Sequence, residues 1–68
     1  MGRRPTEHRI YKKSEPMDMR YMQAKIKALT RLGVKYEIRE CMDADHEPAF
    51  KLIWDRDRYL IATGWMKV

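Results

Sequence analysis

Five cations, Arg3, Arg4, Arg9, Lys12 and Lys13, stand in the first thirteen positions against the single acid Glu7, giving that stretch +4 of the chain's formal +5. Clustered guanidinium and ammonium groups neutralise phosphates and release their counterions, a chemistry that needs charge density rather than a base sequence. A second set, Arg20, Lys27 and Arg31, falls within about 40° on a helix turning 100° per residue. Arm and helix face together predict a phosphate-binding surface. Tyr11 and Trp65 are the aromatic side chains expected to stack on unpaired bases.

Other chemistries find less support. Asp43, Asp45, His46 and Glu47, with Cys41 just before them, bring oxygen, imidazole and thiolate donors close together. Their spacing matches neither an EF-hand loop nor a paired Cys/His zinc pattern, so no metal ligand is assigned and a solvated acidic loop is expected. Cys41 with His46 is the one imaginable nucleophile and base pair, and so small a domain offers little cleft to assemble it. Gly2, Gly33 and Gly64 are too scattered for a phosphate loop. No motif implies a cofactor, and the expectation is a non-catalytic protein.

Elements must hold these groups in place. Residues 1–13 lack periodicity and contain Gly2 and Pro5, which predicts a flexible basic arm. Ser14 reads as an N-cap, with Glu15 and Pro16 in the first helical turn. Met19, Met22, Ile26 and Leu29 then recur at three- and four-residue spacing with Leu32 beside them, the stripe of a helix with one buried face. Met17 lies off that stripe and is expected at the surface, and Gly33 marks the stop. From Val34 the period becomes two, with Val34, Tyr36 and Ile38 on one side of a strand and Lys35, Glu37 and Arg39 on the other. Residues 42–48 read as a loop and residues 49–55 as a second strand. Asp55, Arg56, Asp57 and Arg58 read as a hairpin tip leading into a third strand. That hairpin sets Trp54 opposite Tyr59 and Leu52 opposite Ile61, and pairs Ile53 with Leu60 on the uncovered face. The expected architecture is α+β: a single helix on a three-stranded antiparallel meander, α-β-β-β, in one domain over residues 14–68.

Sixty-eight residues allow one small core, and 44% hydrophobic content supports a folded chain. One cysteine cannot form an internal disulfide, which favours a reducing compartment and a cytoplasmic location. No apolar run approaches the roughly 20 residues of a membrane span, so no membrane partner is expected.

Two resemblances carry over short motifs. The run from Leu29 to Glu37, with Ala62, Thr63, Gly64 and Trp65 at the end, resembles small phage- or prophage-encoded proteins and implies a mobile-element origin. The order of Tyr36-Glu37-Ile38, Asp45-His46, Phe50 and Thr63-Gly64 is similar to the first part of a double-stranded-RNA-binding domain, without that family's loop Gly-Pro or its basic C-terminal helix. By that resemblance His46 would lie near the minor groove. The leading expectation is a phage-encoded accessory protein that binds nucleic acid through Arg3, Arg4, Arg9, Lys12, Lys13, Arg20, Lys27, Arg31 and His46. The alternative is a modulator of a host protein, or a homodimer, that uses Ile53 and Leu60 on the open sheet face.

Overall fold

Local sequence sets the limits of the long helix. The computed structural model describes residues 5–67, and Pro16 opens α1 (Pro16–Leu32) where its missing N–H costs no hydrogen bond. Glu15, not Ser14, is the N-cap, and it makes no side-chain cap bond. Asp18 in the first turn instead accepts the Lys12 backbone N–H at 2.9 Å, which fastens the helix entry to the preceding segment. At the far end Gly33 takes φ 71°. Its N–H returns to the Thr30 carbonyl at 3.1 Å, and the Val34 N–H to the Leu29 carbonyl at 2.9 Å. This double closure brings Val34 onto Leu29 in the core.

The full order is β1 (Thr6–Lys12), α1, β2 (Tyr36–Met42), β3 (Pro48–Asp55) and α2 (Arg56–Ala62). β3 is central, with β1 and β2 antiparallel on either side. Phe50, Leu52 and Trp54 of β3 pair with Tyr11, Arg9 and Glu7 of β1 and with Glu40, Ile38 and Tyr36 of β2. Directly opposed residues share a sheet face, and this is the face that meets α1. The core joins Tyr11, Leu52 and Trp54 to Met22, Leu29 and Val34, with Leu29 and Leu52 fully buried. Met17 is 55% exposed, in keeping with its place off the stripe.

The α+β class stands, and its composition differs from the expected single helix on α-β-β-β. Residues 6–12 form β1 rather than part of a flexible arm, and residues 56–62 form a second helix rather than a hairpin tip and third strand. Both differences have one physical cause. β1 pairs through its backbone and buries only Tyr11, so its charged side chains hide an edge strand from any hydrophobic period. With both edges of β3 occupied, residues 56–62 have no strand to pair with there. Asp55 caps α2 by accepting the Arg58 N–H at 3.1 Å. Gly64 at φ 86° ends it with the closure seen at Gly33: Gly64 N–H to Ile61 O at 3.1 Å and Trp65 N–H to Leu60 O at 2.9 Å. Tyr59 still reaches the core, edge-on to Trp54 at a centroid distance of 6.3 Å. Tyr36, on the apolar side of its strand, is 39% exposed. Among the described residues no helix is long and apolar enough to cross a membrane.

Candidate nucleic-acid interface

Arg20, Lys27 and Arg31 are all exposed on α1. With 1.5 Å of rise per residue they span about 16 Å along one helix face. The acid of α1, Asp18, is turned to the Lys12 amide, so nothing on the helix opposes these three charges. None of them takes part in an ion pair among the described residues. Lys25, the remaining cation of α1, is held differently: its Nζ sits 3.9 Å from the Tyr59 ring centroid and 4.7 Å from that of Trp54. It is committed to closing α1 over α2. Its role was hidden in the sequence because it depends on α2, for which Asp55 as N-cap and Gly64 as stop were the available signals.

The N-terminal cations separate from that helix face. Arg3 and Arg4 lie outside the described residues. Arg9 is exposed on β1, its guanidinium 6.0 Å from the Tyr11 ring centroid. Lys12 is bound to the acidic loop, with Nζ 3.1 Å from Asp45 and 3.7 Å from Asp43. Its pKa is raised, chiefly by the hydrogen bond to Asp45. Lys13 pairs with Glu40 at 3.1 Å and lies 4.5 Å from the Phe50 ring centroid. Lys12 and Lys13 thus answer charges within the fold. Tyr11, expected to stack on bases, is 3% exposed, whereas Trp65 is 84% exposed and remains available.

The acidic loop is organised around one carboxylate. Asp43 Oδ1 accepts the backbone N–H groups of Asp45 at 2.9 Å and Glu47 at 3.0 Å. These bonds hold its pKa below the ordinary value, the Glu47 amide contributing most. His46 is exposed at the tip with φ 59°, a turn geometry that needs no ligand to explain it. Among the described residues no group of three or more His, Cys, Asp and Glu side chains is placed to hold a metal ion.

Ile53 and Leu60 are not brought together as a cross-strand pair. Ile53 lies on the sheet face away from α1, opposite His8 and Glu37. Leu60 belongs to α2, where its carbonyl accepts the N–H groups of Trp65 and Met66. The expected Ile53/Leu60 patch fails because residue 60 is helical. An open cleft of about 580 Å³ lies beside Trp54, and its charges divide between Lys35 and Arg58 on one hand and Glu37 and Asp55 on the other. Compared with known proteins, the chain matches no family model, no curated protein and no solved structure.

Proposed function

We propose that the chain is a small non-catalytic nucleic-acid-binding protein whose phosphate-contacting surface is the exposed face of α1. The observation that supports this is the row Arg20, Lys27 and Arg31, aligned, solvent-facing and in no ion pair among the described residues. Three cations on a rigid helix lose little entropy on binding and meet phosphates as a set, while Lys12 and Lys13 would first have to break internal pairs. Arg9, exposed on β1, is a further cation apart from that row. Trp65 supplies a stacking face near the C-terminus.

The test is a fluorescence-anisotropy titration of labelled single- and double-stranded DNA and RNA with the wild type and with the triple variant Arg20→Gln, Lys27→Gln, Arg31→Gln. These side chains are exposed, so the variant keeps its circular dichroism spectrum and loses at least tenfold in affinity. Substituting Lys12 and Lys13 by Gln changes affinity much less. Absence of any wild-type complex at low salt, or equal affinity of the triple variant, overturns the proposal.

A further inference from the structure

β2 is an edge strand with an unfilled side. Among the described residues it pairs only with β3. On the face toward α1 its side chains Tyr36, Ile38 and Met42 remain 39%, 42% and 62% exposed. It holds no proline, and among the described residues the helices pack on β1 and β3 rather than along β2; proline and a covering helix are the devices that ordinarily stop such a strand from pairing again. Its protection consists of Glu37, Arg39 and Glu40, and the pattern of those charges is self-complementary.

We propose that β2 pairs antiparallel with β2 of a second copy of this chain, about a two-fold axis at Ile38, joining two three-stranded sheets into one of six strands. In this register Ile38 faces Ile38 of the other copy, Glu37 faces Arg39 and Arg39 faces Glu37. Tyr36 lies opposite Glu40, so the paired stretch runs from residue 36 to residue 40 of each copy. In each protomer Arg39 Nε is already 3.0 Å from Glu37 Oε1, so pairing builds a four-membered alternating network on one face. Shifting the register by two residues sets Arg39 against Arg39 in one direction and Glu37 against Glu37 in the other, and like charges directly opposed are unfavourable. The strand therefore attracts its own copy in one in-phase alignment, as an isologous dimer requires.

The other edge strand provides the contrast. β1 also carries an acid and a base two apart, Glu7 and Arg9, yet its edge is engaged. The Lys12 N–H, on the side away from β3, is taken by Asp18 of α1. Ile10 is its one large apolar side chain at the surface. β2 has three, and among the described residues no such bond to its outer edge.

The experiment is light scattering and sedimentation equilibrium on nuclease-treated protein, which keeps the result separate from nucleic-acid binding. The wild type is expected to dimerise reversibly with concentration. Glu37→Arg alone sets Arg against Arg, and Arg39→Glu alone sets Glu against Glu, so each variant by itself is monomeric. An equal mixture of the two forms the heterodimer, because each acidic pair then meets a basic pair. Amide exchange slows along β2 in the wild-type dimer. A monomeric wild type at every concentration, or a dimer indifferent to both charge reversals, overturns the proposal.

Discussion

Gly33 shows how much one residue can fix. Its φ of 71° is costly for a side chain with a Cβ, yet a Cβ placed there meets nothing within 4 Å, so the cost of substitution is backbone strain alone. Gly33→Ala is expected to lose about 1 kcal/mol, read as a lower midpoint in urea unfolding with the slope unchanged, and Gly33→Asn less. Asp43 makes a different kind of contribution. Its pKa is depressed in the folded state by the amides of Glu47 and Asp45. The stabilisation it gives is therefore present above its ordinary value near 3.8 and lost as pH falls through the lower folded value. Urea midpoints from about pH 6 to about pH 2 should fall more steeply for the wild type than for Asp43→Asn, and parallel curves would remove Asp43 from the account.

At the scale of elements, β1 and α2 carry the lesson. The helix stripe, the stop at Gly33, the alternation after it and the central strand were legible because burial on one face leaves a period in the sequence. β1 was not, since Tyr11 is its one buried side chain and its pairing runs through the backbone. α2 was read as a hairpin because Asp serves both the first position of a turn and a helix N-cap. Only the presence of β1 against β3 decides between them. A consequence follows for truncation: removing residues 1–13 takes away one edge of the sheet and Tyr11 from the core. The shortened chain should lose its cooperative thermal transition by circular dichroism; if the transition survived, β1 would be a dispensable arm after all.

For the whole molecule, net charge is a poor guide to what can bind. The fifteen Lys and Arg include Lys12, Lys13 and Arg39, which are paired with acids, and Lys25, which is stacked on two aromatic rings. In the titration proposed above, three phosphate contacts by α1 give a log–log salt slope of about −2.7 on duplex DNA, well short of what fifteen cations would suggest. Sequence alone determined the residues of the α1 stripe, its glycine stop, the basic alignment of Arg20, Lys27 and Arg31, and the α+β class, because each follows from local periodicity and backbone preference. Tertiary structure decided which strand borders β3, that Ile53 and Leu60 part company, which cations are already answered, and that Tyr36, Ile38 and Met42 remain uncovered. Those outcomes depend on contacts between segments distant in the chain, whose pairing through backbone groups leaves no mark on the order of side chains.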